Sequence, residues 1–250
     1  MPSLPYADSP FIVFSDFDGT ITTRDSNDCA TDELGFGVER RRALNVDILN
    51  GTKTFRDAFK EMLDSVCENG HSFPSVVEYL RKEIKLDEGF KTFFDYCKSA
   101  NIPVVIVSSG MIPIIRAILT NLIGVEDANK ISIIANDVEY LEEDGEKWTI
   151  KYLHPESGFG HDKSRATAPY RDLEHQPKLF FCGDGVSDLS AARAADCLFV
   201  KVIEGHTNDL QVHCDREDIP YVPFSQFEQV GAVVKSVVDG KKTIVDHLLN

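Results

Sequence analysis

The chain has 250 residues, with 26 Lys and Arg against 41 Asp and Glu, which gives a formal net charge of −15. Hydrophobic residues make up 42% of the sequence and charged residues 27%, which is typical of a folded chain and excludes a disordered one. The negative charge disfavours nucleic acid and anionic membranes as main partners, because their phosphates repel such a field. The length is sufficient for one α/β domain with an insertion.

The six cysteines predict buried, reduced thiols rather than a disulfide or metal framework. None lies two or three positions from another, so the sequence has no close redox or metal-ligand pair. The N-terminal residues lack the basic start and apolar run of a signal peptide, and no uncharged apolar stretch approaches the ~18 residues of a membrane helix. We therefore expect a cytoplasmic protein without a membrane partner.

The first predicted element is a strand, and the segment after it is helical. Phe11–Ser15 is a continuous apolar run, typical of a buried parallel strand. Residues 26–85 contain only helical patterns: one helix follows the predicted cap Thr54, and Pro74 is expected to open the next. A helical segment without strands indicates a separate cap, which we place at residues 25–85.

Strands and helices then alternate along the rest of the chain. Residues 131–153 differ, because they predict consecutive strands with a hairpin turn at 143–146. The alternation predicts an α/β fold, a Rossmann-like doubly wound parallel sheet with helices on both faces. The core would comprise residues 1–24 and 86–250. The predicted strands after the first are Pro103–Val107, Ile131–Ile134, Val138–Leu141, Trp148–Leu153, Leu179–Cys182 and Cys197–Val200.

Polar side chains follow three of these strands, where open α/β sheets bind their ligands. The first strand is followed by Asp16 and Asp18, the second by Ser108, and the strand at 179–182 by Asp184 and Asp188. Four carboxylates at one edge repel one another unless a cation lies between them. The predicted cofactor is Mg²⁺, because it prefers oxygen ligands and is usually shared with substrate phosphate.

Each of these features has an ordinary explanation when it is taken alone. Asp16 and Asp18 could begin a calcium loop, but position twelve of that loop would be Asn27 instead of Glu. Ser108 alone would be a common helix cap, and Lys163 alone a solvated surface lysine. Their joint occurrence, in this order and near strand ends, favours one common site.

These clusters together resemble the four motifs of haloacid-dehalogenase-superfamily phosphatases. Residues 16–20 read Asp-Phe-Asp-Gly-Thr and match the first motif, D-x-D-G-T. Ser108 matches the second motif, Lys163 the third, and residues 183–188 the fourth. The helical insert is similar to the small cap of the phosphoserine-phosphatase-like branch, so the resemblance covers nearly the whole chain.

The resemblance implies a Mg²⁺-dependent phosphatase that hydrolyses a small phosphomonoester through an aspartyl-phosphate. Asp16 would be the nucleophile, and Asp18 the general acid and then the base. Asp16, the backbone carbonyl of Asp18 and Asp184 would hold the metal, while Asp188 would orient Lys163 or a metal-bound water. The phosphoryl oxygens would be bound by Ser108, Ser109, Lys163 and the backbone near Gly19.

The predicted substrate contacts in the cap are Asp25, Arg56 and Lys60. Phosphoserine phosphatases that resemble this chain carry Glu where Asp25 stands, and Ser-Gly-Gly where residues 108–110 read Ser-Ser-Gly. These departures favour the branch acting on sugar-alcohol, sugar and methionine-salvage phosphates. Asp25 would bond a hydroxyl, and Arg56 or Lys60 a polar tail. The alternative for both bases is a solvated helix face.

Several alternatives stay open at this point. Within the superfamily they are a phosphoserine phosphatase and a methionine-salvage diketo-phosphate phosphatase. A non-catalytic phosphate-binding or scaffold protein is the alternative of another class, although the intact Asp16, Asp18, Lys163 and Asp184 argue against it. Phosphate transfer to an acceptor alcohol is a further option. The sequence does not predict an oligomeric state.

Overall fold

The structure, a computed structural model, describes residues 4–205 and 208–248. Within these residues the strands are β1 (Phe11–Ser15), β2 (Val104–Met111), β3 (Ser132–Tyr140), β4 (Trp148–Lys151), β5 (Lys178–Gly183), β6 (Cys197–Lys201) and β7 (Val222–Phe224). The helices are α1 (Ser26–Glu33), α2 (Val38–Leu49), α3 (Phe55–Glu68), α4 (Phe73–Glu83), α5 (Phe90–Ser99), α6 (Ile112–Ile123), α7 (Val125–Lys130), α8 (Ser164–Thr167), α9 (Leu189–Ala192), α10 (Asp209–Arg216) and α11 (Phe227–Val238).

The chain divides into two compact units. The first takes its residues from Met1–Ile21, Leu86–Val107 and Lys163–Asn250, and the second from Thr22–Lys85 and Ser108–Asp162. The predicted cap of 25–85 lies within the second unit, which also contains 108–162. The assignment of a core at 1–24 and 86–250 with a cap at 25–85 stays a prediction.

A parallel sheet forms the centre of the first unit. Its strands are ordered β2-β1-β5-β6-β7, and Val13 of β1 lies opposite Val104 of β2 and Phe180 of β5. Ile12 and Val13 have no exposed surface, as the apolar run of β1 predicts for a central strand. Helices α5 and α11 pack against each other, with the Phe90 and Phe227 ring centroids 5.1 Å apart.

The second unit combines helices with an antiparallel hairpin. Strands β3 and β4 pair antiparallel, which confirms the predicted hairpin turn between them. Helix α3 packs against β4 and begins after Thr54, whose hydroxyl accepts a hydrogen bond from the amide of Asp57, as predicted. Helix α4 begins after Ser72 and has Pro74 in its first turn, as predicted.

The predicted α/β fold is confirmed, and residues 26–85 contain four helices and no regular strand. One prediction is wrong: Ile131–Ile134 and Val138–Leu141 are not two strands but parts of the single strand β3. Asn and Asp are depleted in strands, so Asn136 and Asp137 indicated a break. Asn136 stays in the strand because its side chain is fully buried and makes two hydrogen bonds there.

None of the helices in the described part of the chain is both long enough and apolar enough to span a membrane. All six cysteines are free, and five of them are buried, with Cys67 half-buried.

Candidate active site

A buried lysine lies between two aspartates in the first unit. Asp16 follows β1 directly, and its amide donates a hydrogen bond to the carbonyl of Cys182 in β5 at 2.8 Å. Lys163 Nζ is 2.9 Å from Asp16 Oδ2 and 2.7 Å from Asp188 Oδ1. The Lys163 side chain is only 1% exposed and that of Asp188 0%. The first, third and fourth motifs therefore meet at this lysine.

Burial and charge shift the pKa values of this cluster in opposite directions. Burial, and then the negative charge of Asp188, raise the pKa of Asp16 to about 7, although Lys163 and the Phe17 amide lower it. Burial by itself disfavours the charged form of Lys163, but the charges of Asp16 and Asp188 outweigh it and raise its pKa. The lysine thus stays protonated, while Asp16 needs more positive charge nearby to be fully ionised near neutral pH.

Asp184 lies against the loop that follows β1. The Thr20 hydroxyl donates to Asp184 Oδ1 at 2.9 Å. Gly19 has a φ of 72°, and a Cβ at this position would lie 2.4 Å from Asp184 Oδ2. Glycine is therefore required at position 19, both by its left-handed backbone and by the close approach of the carboxylate.

Asp188 organises the turn after β5 as well as binding the lysine. Its Oδ2 accepts hydrogen bonds from the amides of Asp184 and Gly185, both at 3.1 Å, while Oδ1 binds Lys163. A Cβ at Gly183 would lie 2.4 Å from Asp188 Oδ2, so the close packing of this turn also depends on a glycine. The carboxyl group of Asp188 thus holds both the backbone of Asp184 and the side chain of Lys163 in place.

The carboxylates of the first unit offer a donor set that suits Mg²⁺. One oxygen each from Asp16, Asp184 and Asp188 lies within 4.8 Å of the others. Hard oxygen donors with excess negative charge are what Mg²⁺ requires, and Lys163 offsets only one of these three charges. Asp18, the remaining predicted ligand, is 7% exposed and lies outside this group of three. Its predicted contribution is the backbone carbonyl, so the ligand set stays a prediction.

Ser108 and Ser109 lie in the second unit, within β2 and not after it as predicted, because the strand continues to Met111. The Ser108 side chain is buried, and its Oγ accepts a hydrogen bond from the Gly110 amide at 3.0 Å. The Ser109 carbonyl accepts a hydrogen bond from the Asn136 side chain at 2.7 Å. Their role in phosphate binding stays a prediction.

Asp25 caps helix α1 in the second unit. Its Oδ1 accepts hydrogen bonds from the amides of Asn27 at 2.7 Å and Asp28 at 2.8 Å. Burial raises the pKa of Asp25 although these amides lower it. One oxygen is therefore used in capping, and the predicted substrate role, which would need the other, is untested.

Arg56 and Lys60 both project from α3. Arg56 Nη1 donates to the Pro155 carbonyl at 2.7 Å, and its Nε bonds Asp57. Lys60 Nζ donates to Thr149 Oγ1 at 2.8 Å and pairs with Asp64. Both bases thus have partners within their own unit, and their role as substrate contacts also stays a prediction.

Some residues of structural importance to the site received no role from the sequence. Thr20 belongs to the first motif, but its bond to Asp184 depends on the packing of distant segments. His161 bonds the Ser108 carbonyl and Asn136 the Ser109 carbonyl. The available signal for Asn136 was a polar residue that interrupts an apolar strand pattern.

Comparison with known proteins assigns this arrangement to a family. The profile of the haloacid dehalogenase-like hydrolases matches residues 13–193, which contain every residue of the four motifs. The chain belongs to this family. The predicted resemblance is therefore confirmed.

Two curated yeast proteins are similar to this hydrolase over most of their length. It is 43% identical to the polyol phosphate phosphatase PYP1 of Saccharomyces cerevisiae over 96% of this chain and 98% of that protein. It is 46% identical to Pdp3-interacting factor 1 of Schizosaccharomyces pombe over 87% of this chain and 92% of that protein. The first of these matches, together with the hydrolase family, confirms the predicted enzyme class, a phosphatase.

A solved structure shares the fold. The phosphoserine phosphohydrolase-like protein of Francisella tularensis has a TM-score of 0.62 at 15% identity, and the match covers 90% of this chain and 99% of that one. At this identity the similarity is one of fold alone.

Proposed function

We propose that this phosphatase hydrolyses a sugar-alcohol phosphate or a closely related sugar phosphate, using Mg²⁺ and an aspartyl-phosphate on Asp16. The observation that carries the mechanism is Lys163, buried between Asp16 and Asp188. The preference for a polyol phosphate is supported by the 43% identity to a polyol phosphate phosphatase over nearly the full length.

In the first step an oxygen of Asp16 attacks phosphorus, and the bond from phosphorus to the ester oxygen breaks. The Phe17 amide donates to Asp16 Oδ1 at 2.7 Å and Lys163 binds Oδ2, so the carboxylate is held in one orientation before it reacts. Asp18 gives its proton to the departing alkoxide, which leaves as the alcohol.

In the second step Asp18, now a carboxylate, takes a proton from water. The water oxygen attacks phosphorus, and the bond from phosphorus to Asp16 breaks. Inorganic phosphate leaves, Asp16 is regenerated as a carboxylate and Asp18 carries a proton again. Asp16 must react as a carboxylate while Asp18 carries a proton, so the two groups need different environments. The direct bond from Lys163 to Asp16 favours the charged form of Asp16.

When bound, Mg²⁺ supplies positive charge that offsets the repulsion between Asp16 and the phosphoryl oxygens. Asp16, Asp184 and the backbone carbonyl of Asp18 would hold it. Lys163, the Ser108 hydroxyl and the backbone amides near Gly19 and Ser109 would hold the phosphoryl oxygens. Asp188 acts through Lys163, which it keeps in place from the opposite side.

The partner implied by this reaction is a small-molecule phosphate ester, recognised by residues of the cap. In this proposal the second oxygen of Asp25 bonds a substrate hydroxyl, and Arg56 or Lys60 bonds a polar tail. The hydroxyl groups of a polyol both donate and accept hydrogen bonds, so they match a set that pairs the acceptor Asp25 with the donors Arg56 and Lys60.

The test is phosphate release from a panel of esters, with Mg²⁺ and with a chelator. The panel contains pentitol, hexitol and glycerol phosphates, sugar phosphates, phosphoserine, and p-nitrophenyl phosphate as a generic ester. We expect Mg²⁺-dependent release with the highest kcat/KM on a polyol phosphate. Preference for phosphoserine would overturn the substrate assignment, and added acceptor alcohols would reveal transfer in place of hydrolysis. Absence of release from every ester would favour a phosphate-binding protein.

A further inference from the structure

The carbonyl of Ser108 is held by a buried histidine. His161 Nδ1 lies 2.7 Å from the Ser108 carbonyl oxygen, and the two residues are 2% and 1% exposed. A carbonyl oxygen only accepts hydrogen bonds, so Nδ1 is the ring nitrogen that carries the proton. The position of this carbonyl is therefore fixed by a side chain 53 residues away in the sequence.

The histidine also fixes the direction of the next amide. The described residues contain no cis peptide bonds. The C=O of Ser108 and the N–H of Ser109 therefore lie in one peptide plane and point in opposite directions. Because His161 holds the oxygen, the Ser109 N–H points away from the histidine. Rotation of this peptide would break the bond to His161.

The following peptide is held in the same way by a buried amide. Asn136 Nδ2 donates to the Ser109 carbonyl at 2.7 Å, and Asn136 Oδ1 accepts from the Leu153 amide at 2.9 Å. Asn136 is fully buried, and these two bonds determine which end of its amide faces Ser109. The N–H of this second peptide belongs to Gly110, and it donates to Ser108 Oγ at 3.0 Å.

The bond from Gly110 determines how Ser108 can be used. Because Ser108 Oγ already accepts a hydrogen bond, its single hydroxyl hydrogen is the part that can be offered to an anion. The accepted bond also polarises the hydroxyl and makes it a better donor. These bonds thus fix the directions of two donors, the Ser108 O–H and the Ser109 N–H.

We propose that His161 and Asn136 are positioning residues that orient these two donors toward a phosphoryl group. The inference rests on the proposed function, in which Ser108 and Ser109 bind the phosphoryl oxygens. Donors that are fixed before the reaction stabilise developing charge without reorganisation, so small displacements lower the rate strongly. In this segment His161 bonds the Ser108 carbonyl and Asn136 bonds the Ser109 carbonyl, so both act through its backbone.

The chain permits variants that separate positioning from folding. His161→Asn keeps an N–H donor near the place of Nδ1, whereas His161→Leu removes it. Asn136→Asp retains the shape but replaces the donor to Ser109 with an acceptor. The matched control is Asn69→Asp: Asn69 Nδ2 also donates to backbone carbonyls of the second unit, but to those of Leu34 and Gly35 instead of Ser108 or Ser109.

The first measurement is the hydrolysis of p-nitrophenyl phosphate with Mg²⁺, with the melting temperature of each variant recorded. We expect kcat/KM to fall by about 10–100-fold in His161→Leu and Asn136→Asp. His161→Asn should recover most of the loss, and Asn69→Asp should stay within about twofold of the parent. Equal activity in His161→Leu and His161→Asn would overturn the proposal.

The second measurement follows the amide NMR signals of Ser109 and Gly110 as inorganic phosphate is added with Mg²⁺. The signal of Ser109 should shift in the parent and in His161→Asn, and not in folded His161→Leu. A shift without hydrolysis of any ester would support this inference and contradict the proposed function. Hydrolysis without any shift of Ser109 in the parent would contradict the inference alone. If His161→Leu does not fold, Asn136→Asp and His161→Asn decide the question by the same signals.

Discussion

Two lysines of this protein pair with aspartates in very different surroundings. Lys163 is 1% exposed and lies between Asp16 and Asp188, whereas the Lys60 side chain is 46% exposed beside Asp64. Water screens the Lys60 pair, so that pair contributes little to stability. Lys163, Asp16 and Asp188 are shielded from water. Replacing one of these side chains therefore leaves a buried charge without a compensating partner.

The comparison shows that burial, more than the presence of a partner, decides what a charged residue does. From the sequence alone both lysines could be solvated. The first unit buries Lys163 between carboxylates of the first and fourth motifs, which fix its position and raise its pKa although burial lowers it. The following predictions test this difference, from the largest expected effect to the smallest.

Removal of the nucleophile should have the largest effect on turnover. We expect Asp16→Asn to lower kcat by about 10⁴-fold or more, because the amide cannot form the covalent intermediate. Asp64→Asn, which removes the partner of Lys60, is the matched control and should retain turnover. The measurement is phosphate release in a steady-state assay. Turnover that survives in Asp16→Asn would remove Asp16 from its proposed role.

Loss of the buried lysine should lower both turnover and stability. Lys163→Met leaves Asp16 and Asp188 facing each other without a cation, and we expect a destabilisation of about 3–5 kcal/mol. We also expect kcat/KM to fall about 10³-fold, since a phosphoryl-binding charge is lost. Urea denaturation and steady-state kinetics measure the two effects. A stable variant with normal kinetics would show that the comparison of the two lysines is wrong.

A second buried ion pair distinguishes the effect of a buried charge on stability from its effect on catalysis. Lys201 pairs with Asp87 in the first unit, and both side chains are about as buried as those of the motif cluster. Asp87 also accepts a hydrogen bond from the Phe227 amide at 2.9 Å. We expect Lys201→Met to cost about 3 kcal/mol in unfolding free energy and to leave kcat per folded molecule unchanged. A loss of kcat comparable to that of Lys163→Met would contradict this separation.

The raised pKa of Asp16 predicts a pH dependence in metal-free protein. The pKa of Asp16 is about 7 in the folded state and has an ordinary value of 3.8. Between these two pH values the folded state therefore binds more protons than the unfolded state. The contribution of Asp16 to the free energy of unfolding is complete below about pH 4 and is lost as the pH rises through about 7. Mg²⁺ competes with this proton, so it should raise the melting temperature more at pH 8 than at pH 5.5.

The control for this measurement is a second carboxylate, Asp28, whose pKa is similar to that of Asp16. Burial, and then the charge of Asp25, also raise the pKa of Asp28 in the second unit to about 7. Asp28→Asn should remove the part of the pH dependence that Asp28 contributes. The increase in melting temperature with Mg²⁺ should be unchanged in this variant. Asp16→Asn should remove that response. An identical Mg²⁺ response in both variants would exclude Asp16 as a metal ligand.

The smallest effect is expected at the surface lysine. We expect Lys60→Met to change the unfolding free energy by less than about 1 kcal/mol, because water screens its pair with Asp64. The same variant tests the cap prediction: a role in substrate binding raises KM for a polyol phosphate and leaves KM for p-nitrophenyl phosphate unchanged. Unchanged KM for both esters would assign Lys60 to a solvated helix face.

The sequence by itself determined the α/β fold, the helical segment at 26–85 and the motifs of the family. Apolar runs and helical spacings are local patterns, so they can be recognised before any contact is known. The motif residues could be recognised for a similar reason: Asp16, Asp184 and Asp188 follow predicted strands, Lys163 precedes the strand at 179–182, and this order is visible in the chain.

Only the tertiary structure decided which of these groups meet and what surrounds them. The burial of Lys163, the bond from Thr20 to Asp184, and the continuation of β3 through Asn136 all depend on segments distant in sequence. Hydrogen bonds and pKa shifts arise from short distances and from the exclusion of water, and neither is encoded in residue type or spacing.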